Sequence, residues 1–214
     1  MNVKALAAEF IGTFALIFVG VGAIAADPGL TGIALAHGLT IAVMASATAA
    51  VSGGHLNPAV TIGLLVGGKI DAGNAVGYVI AQCLGGIAAA GTLMICLPDA
   101  SAAIAGGTPA LADGVSIAQG LVMEIVLTFF LVFVVWGTAV DSRAPKVGGL
   151  FIGLAVTLGI LIGGPVTGAA MNPARHLGPA LLGGGMQHVW LYWVGPLIGG
   201  VLASLVYKNV LAED

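Results

Sequence analysis

The stretch Gly53-Gly54-His55-Leu56-Asn57-Pro58-Ala59 has a counterpart later in the chain, Gly168-Ala169-Ala170-Met171-Asn172-Pro173-Ala174. Each stretch places small residues before Asn-Pro-Ala, inside sequence that is almost free of charge. Asn is a favoured N-cap and Pro is a favoured first residue of a helix. Each stretch therefore predicts a helix that begins at membrane depth, with the Asn oxygen held by helix amides and its NH2 group turned forward.

The two helices that begin here are too short to cross a membrane. The segments 58–67 and 173–182 have ten residues each. That length makes about 15 Å of helix, roughly half of a hydrocarbon core of ~30 Å. We predict two half-helices whose positive N-terminal ends meet inside the membrane, where the two Asn side chains form a pair of donors.

The composition places the chain among polytopic membrane proteins. Of its 214 residues, 59% are apolar and only 7% are charged, and the mean hydropathy is +1.11. These values exclude a soluble domain. The apolar runs hold six spans of about 20 residues each, which we place at 5–25, 32–51, 73–95, 114–139, 147–164 and 188–208.

The basic residues predict the orientation of these spans. They all fall on one side of the membrane, at Lys4, Lys69, Arg143, Lys146 and Lys208, apart from one arginine inside it. The opposite loops contain Asp27, Asp99 and Asp113 and no Lys or Arg. The excess of positive charge predicts that both termini are cytoplasmic, and we expect a multi-pass protein of the cell membrane.

The second half of the sequence repeats the first at an offset of 115 residues. The matches are Glu9 with Glu124, Thr13 with Thr128, Phe14 with Phe129, Asn57 with Asn172 and Gly85 with Gly200. We place the repeats at 1–97 and 113–212 of a single transmembrane domain, 1–214. Three spans in each half is an odd number, so the halves are inverted. Inverted repeats with broken helices at mid-membrane are typical of a permeation site.

The chain resembles the aquaporin (major intrinsic protein) family over essentially its whole length. The residues that carry the resemblance are the two Asn-Pro-Ala motifs, the two repeat-leading glutamates, Ala81-Gln82-Cys83-Leu84-Gly85 and Trp193-Val194-Gly195-Pro196. The resemblance implies an all-α protein with six transmembrane helices and two re-entrant half-helices. It implies a passive channel in the lipid bilayer for water and small neutral solutes such as ammonia or hydrogen peroxide. It also implies a homotetramer with one pore per subunit, no enzyme activity, no cofactor or metal, and no nucleic-acid partner.

Arg175 is the cation that remains inside the membrane region. At the bilayer centre an arginine costs about 2.5–3.5 kcal/mol, so it should face water. By resemblance it belongs to the family's selectivity filter, whose other members are here His37, Ile160 and Ala169. Water-selective members have an aromatic residue in place of His37 and His in place of Ile160, so this set resembles the plant tonoplast type. We expect a wider constriction that also admits ammonia, with His37 and Arg175 as donors.

The remaining polar groups of the two loops are expected to build the lumen. Asn57 and Asn172 mark its centre, and the loop carbonyls line it, from Gly53, Gly54 and His55 on one side and Gly168, Ala170 and Met171 on the other. Backbone exposed at membrane depth needs partners. By resemblance, Glu9 and Glu124 supply them by accepting hydrogen bonds from the loops; proton-relay carboxylates are the alternative reading.

The nearest rival is a glycerol facilitator, a channel for small polyols. That branch has Asp after the filter arginine, a basic residue four positions later, and Pro-Leu in the last helix. This chain has His176, Ala180 and Tyr192-Trp193 there, which resembles the water branch. Four more readings stay open: a coupled transporter, an adhesive membrane protein, a merely structural His37, and an Arg175 that snorkels to the membrane surface.

Overall fold

The computed structural model describes residues 2–145 and 147–212, and Lys146, used above for the orientation, lies outside them. The helices of the described residues are α1 (Val3–Ala26), α2 (Gly29–Ser52), α3 (Pro58–Val66), α4 (Ala72–Cys96), α5 (Pro98–Ala103), α6 (Ile117–Val135), α7 (Gly148–Thr167), α8 (Pro173–Gly183) and α9 (Leu191–Val206). Helices α6 and α9 continue as π-helical turns, Trp136–Val140 and Tyr207–Leu211. Short 3-10 turns lie at Ala105–Gly107 and Met186–His188.

The six predicted spans are confirmed, since α1, α2, α4, α6, α7 and α9 are the described helices long and apolar enough to cross a membrane. Several of their ends differ from the prediction by about three residues; the second span begins at Gly29 and the sixth at Leu191. The fourth span begins at Ile117 because Ser116 and Gln119 form a capping box there. The fifth span continues to Thr167, past Pro165. The proline lies in the last turn, where it removes little of the backbone ladder.

The half-helices begin where the Asn-Pro pairs predicted. Asn57 Oδ1 accepts from Ala59 N at 2.8 Å. Asn172 Oδ1 accepts from Ala174 N at 3.0 Å and from Arg175 N at 3.2 Å. Each asparagine is thus an N-cap in extended conformation with proline in the first turn, and the cap fixes the direction of its side chain.

The two halves of the chain interlock through their half-helices. Helix α3 packs on α9 and α8 packs on α4, while α2 and α7 pack on each other. Glycines allow the backbones to touch: a Cβ at Gly63 would lie 2.8 Å from the Gly200 oxygen, and one at Gly86 would lie 2.7 Å from the Ala174 oxygen. Each half-helix is therefore held by the last span of the other half.

The contacts of α9 correct one of the repeat pairs. Gly85 faces the Phe10 carbonyl and Gly199 faces the Ile125 carbonyl. The structural partner of Gly85 is therefore Gly199 rather than Gly200, an offset of 114. The second half has one residue fewer between its half-helix and its last span.

The connection between the two halves is more ordered than its composition indicated. It contains α5 and the 3-10 turn Ala105–Gly107. It then returns to α7, where Ala112 N donates to Val166 O at 3.0 Å. The segment lies against the loop before α8, since a Cβ at Gly168 would be 2.8 Å from Pro109 Cα. It therefore forms part of the wall around the second Asn-Pro-Ala motif.

Candidate permeation site

The two Asn side chains meet in the interior and bind each other's loops. They are only 4% and 3% exposed. Asn57 Nδ2 donates to Met171 O at 2.8 Å, and Asn172 Nδ2 donates to Leu56 O at 2.9 Å. An amide NH2 has two hydrogens, so each side chain keeps one donor in addition to this bond. Both asparagines line an internal cavity.

Glu9 binds the first loop and Glu124 binds the second loop through equivalent contacts. Glu9 Oε1 accepts from Ser52 Oγ at 2.6 Å and from His55 N at 3.0 Å. Its Oε2 accepts from Leu56 N at 2.6 Å. The partners of Glu124 are their repeat mates: Thr167 Oγ1 at 2.7 Å, Ala170 N at 2.9 Å and Met171 N at 2.8 Å.

These bonds hold backbone that helices leave without partners. Glu9 and Glu124 are fully buried. Leu56 and Met171 have φ of 52° and 50°, a left-handed conformation that is uncommon for such side chains. A carboxylate that accepts from the amide of each strained residue stabilises the turn that aims the next Asn.

The first loop carries an additional polar network that the second lacks. Gln82 Nε2 donates to Thr61 Oγ1 at 3.0 Å, and His55 Nδ1 lies 3.1 Å from the same hydroxyl oxygen. The repeat mates of His55 and Thr61 are Ala170 and His176. The two ends of the lumen are therefore chemically different.

The internal cavity has an empty volume of about 420 Å³. Its polar lining residues include Asn57 and Asn172 of the loops, and its apolar lining residues include Leu16, Ile41, Val60, Leu131 and Val156. A second cavity, of about 700 Å³, lies beside the connection between α5 and α6. The residues that line both cavities are His37, Ile160 and Arg175. These three side chains therefore stand at the boundary between the two spaces.

The loop residues expected to supply carbonyls divide between these cavities. His55, Ala170 and Met171 line the internal cavity, as does Ala169, which was expected in the filter. Gly168 lines the second cavity instead. Gly53 and Gly54 line neither of the two; their left-handed φ of 89° and 65° lets the chain leave α2.

His37 has a defined tautomer when its ring is neutral. Its Nδ1 lies 2.9 Å from Ile33 O. A carbonyl only accepts, so Nδ1 carries the proton and Nε2 is an acceptor. That Nε2 is buried and has no partner among the described residues. His37 was expected to act as a donor, but the nitrogen that remains without a partner among them, Nε2, is an acceptor. The ring packs on Gly20 of α1 with Nε2 as its nearest atom, so this nitrogen points toward α1.

Arg175 is held by a residue that the sequence did not point to. It is 4% exposed, and its Nη1 donates to Gly107 O at 2.8 Å. Gly107 has φ of 69° and packs on Val21 of α1. The only sequence signal was the Gly106-Gly107 pair, which fits a tight turn. A guanidinium has five N–H donors, so donors remain for a molecule in the cavities.

His176, beside the filter arginine, is a second residue whose role the sequence did not predict. It is fully buried. Its ring stacks on Tyr192 with centroids 4.2 Å apart and planes at 14°. Tyr192 OH donates to Thr167 O at 2.8 Å. In the first repeat, Tyr78 OH donates at 2.9 Å to the oxygen of Ser52, the residue that corresponds to Thr167. The stack thus supports the start of the second loop.

Comparisons with known proteins agree with this geometry. A family model described as "Major intrinsic protein" matches residues 1–207. Aquaporin TIP4-4 of Zea mays is 49% identical, over 97% of this chain and 86% of that protein. Aquaporin TIP2-3 of Arabidopsis thaliana is 43% identical, over 98% and 88%. The X-ray structure of the aquaglyceroporin from Plasmodium falciparum superposes with a TM-score of 0.89 at 27% identity, over 99% of this chain and 97% of that one.

The family match covers nearly the whole chain, and the relatives are 43% to 49% identical over almost its full length. The six described spans carry the expected fold. The protein is therefore a multi-pass integral membrane protein and a channel rather than an enzyme, and the chain belongs to the major intrinsic protein family.

Proposed function

We propose that the protein is a passive channel that conducts water and ammonia and excludes protons and ions. The observation that carries the proposal is the position of His37, Ile160 and Arg175 at the boundary between the two cavities. Any molecule that passes from one cavity to the other must pass these side chains. The relatives named as aquaporins support the conduction of water.

The asparagine pair accounts for the exclusion of protons. The N-termini of α3 and α8 each carry a partial charge of roughly +0.5. Together with the donors of Asn57 and Asn172, they orient a water molecule with its oxygen toward both. That water then donates outward in both directions, so a chain of proton transfers is interrupted. The same positive ends repel hydronium.

The side chains of the filter explain why ammonia should pass and ammonium should not. The N–H groups of Arg175 donate to the nitrogen lone pair of ammonia, whereas His37 Nε2 is buried against Gly20 of α1, so His37 shapes the constriction with its ring. Ammonia is close to water in size and is the better acceptor, so the donors of Arg175 replace part of its hydration. Ammonium has no lone pair for Arg175 and is repelled by it. Hydrogen peroxide, whose oxygens also accept, fits the same donors.

The glycerol-facilitator reading is not favoured. The position after the filter arginine is His176, whose ring is stacked on Tyr192, and not the Asp of that branch. The likeness to an aquaglyceroporin is at 27% identity, whereas relatives at 43% and 49% are named aquaporins.

We also propose that both termini are cytoplasmic and that the protein forms a homotetramer with one pore per subunit. The basic residues Lys4, Lys69, Arg143 and Lys208 support the orientation. The tetramer rests on the family alone. The relatives are aquaporins of the TIP type by name, so they give no support to the cell membrane expected above.

The test is an exchange of the filter. Wild type and the variant His37→Phe/Ile160→His are reconstituted, and water and ammonia permeabilities are measured by stopped flow. The exchange should abolish ammonia flux and spare water flux, because both substitutions narrow the constriction. Leu39→Phe, which adds the same ring on the exposed face of α2, is the control. Wild-type protein that conducts water, but ammonia no faster than protein-free liposomes, would contradict the widened filter.

A further inference from the structure

We infer that the protein binds the phosphate group of an anionic membrane lipid between the ends of α3, α6 and α9. The site lies outside the lumen, and the inference does not depend on which solute the channel conducts. The pocket has an empty volume of about 1310 Å³ including open space, and its walls include Gly68, Lys69, Trp136, Lys208 and Asn209.

Two ammonium groups from distant segments share this pocket. Lys69 Nζ lies over the Trp136 ring, 5.5 Å from its centroid. Lys208 Nζ lies 3.8 Å from where a Cβ of Gly68 would stand. The cation–π contact directs Lys69 toward the indole, and the missing side chain at Gly68 leaves room for Lys208 to approach. Two positive charges are thereby held around one space.

Neither lysine is neutralised by a carboxylate among the described residues. The acidic groups of the neighbouring segments have other partners. Asp141 is bound by Arg143 at 2.6 Å and by Tyr207 at 3.0 Å. Asp71 accepts from the backbone and side chain of Asn74. Among the described residues the pocket therefore carries a net positive charge, which favours an anion.

The ends of α6 and α9 place the pocket at the level of lipid headgroups. Trp136, which lines the pocket, stacks on Tyr207 with centroids 5.7 Å apart, and its Nε1 donates to Ser204 Oγ at 2.8 Å. Both rings are buried, at 2% and 9% exposure, so they support the wall of the pocket. Each of the two begins a π-helical turn, a feature frequent at functional sites.

The surface beside the pocket suits acyl chains. Leu205 and Leu211 lie three residues before and after Lys208, on its side of the helix, and they are 40% and 44% exposed. A headgroup between the lysines would thus have its chains along the outer face of α9. Basic pockets between transmembrane helices recognise anionic headgroups in this manner. A lipid phosphate meets both surfaces, whereas a free phosphate meets only the lysines.

The test is a lipid titration of the full chain followed by native mass spectrometry. Dioleoyl phosphatidylglycerol and dioleoyl phosphatidylcholine are compared for wild type, Lys69→Gln, Lys208→Gln and the double variant. Wild type should prefer phosphatidylglycerol. Each substitution should weaken that binding about 5-fold, and both together roughly 25-fold. Lys4→Gln, an exposed lysine away from the pocket, is the matched control and should bind as wild type does.

Water permeability of the double variant shows that it is folded and should equal that of wild type, since neither lysine lines the lumen cavities. Equal affinity of wild type for the two lipids would overturn the proposal, as would a double variant that binds phosphatidylglycerol normally. Inorganic phosphate is added as a competitor. Its displacement of the lipid at equal concentration would assign the site to soluble phosphate and overturn the lipid.

Discussion

Replacing Gly20 by Ala tests the position of His37 without altering any residue of the filter. A Cβ at this position would lie 2.5 Å from His37 Cδ2 and 2.8 Å from Cε1. Carbon atoms in contact are normally 3.5–4.0 Å apart, so the ring must move by about 1 Å. Helix α1 stands behind the ring and the cavities stand in front of it. The ring therefore moves toward the lumen and strains its bond to Ile33 O.

The size of the effect follows from this displacement. A water molecule has a diameter of about 2.8 Å, so a shift of about 1 Å is a large part of a single-file aperture. Overpacking of this kind costs about 1–3 kcal/mol. If each permeating molecule must push the ring back, permeability falls roughly 5-fold to 150-fold. Ala is also a better helix former than Gly, so the fold of α1 is retained.

The assay is stopped-flow permeability of reconstituted protein for water and ammonia. Gly22→Ala is the matched control, because a Cβ there meets only Leu93 Cδ2, at the ordinary distance of 3.9 Å. Gly20→Ala should conduct both solutes poorly, and Gly22→Ala should match wild type. Equal conduction by the two variants would refute the placement of the His37 ring at the constriction.

Three further predictions concern stability, measured by thermal unfolding in detergent. Glu9→Ala and Glu124→Ala should each lose about 1–3 kcal/mol per unsatisfied loop group, and Gln should be tolerated better; Ala variants as stable as wild type would contradict the bracing. His176→Phe should keep the stack on Tyr192, whereas His176→Ala loses about 0.5–1.5 kcal/mol of ring pairing and leaves a cavity; equal melting of the two variants would count against the stack. Arg143, which donates to Asp141, holds the pKa of that carboxyl well below its usual range. The extra stability of wild type over Asp141→Asn should therefore be full above about pH 4 and should fade as the pH falls further. A stability difference that does not change with pH would count against the ion pair.

The sequence predicted the spans and the starts of both half-helices, because hydropathy and the Asn-Pro caps are local signals. The constant offset also singled out Glu9 and Glu124, whereas their role as acceptors for the loops was predicted from the resemblance to the family. Their partners, such as Ser52 and Thr167, could have been read from the same offset of 115. The repeat thus carried more of the site than a single motif would have.

Other contacts had no signal in the sequence. Gly107, which accepts from Arg175, lies 68 residues from it, in a segment of small residues without a periodic pattern. The shift of the repeat offset in α9 was hidden because Gly85-Gly86 and Gly199-Gly200 are identical pairs. The role of His37 as an acceptor depends on which of its nitrogens meets a carbonyl oxygen. Spacing alone does not specify that choice.

The most direct test of the central claim measures water and proton flux in the same proteoliposomes. Stopped-flow light scattering follows water, and an enclosed pH dye follows protons under an imposed pH gradient. The paired donors of Asn57 and Asn172 predict water permeability well above that of protein-free liposomes, with proton leakage no greater than theirs. Water permeability equal to that of protein-free liposomes would contradict the account, and so would proton flux that rises with the amount of protein.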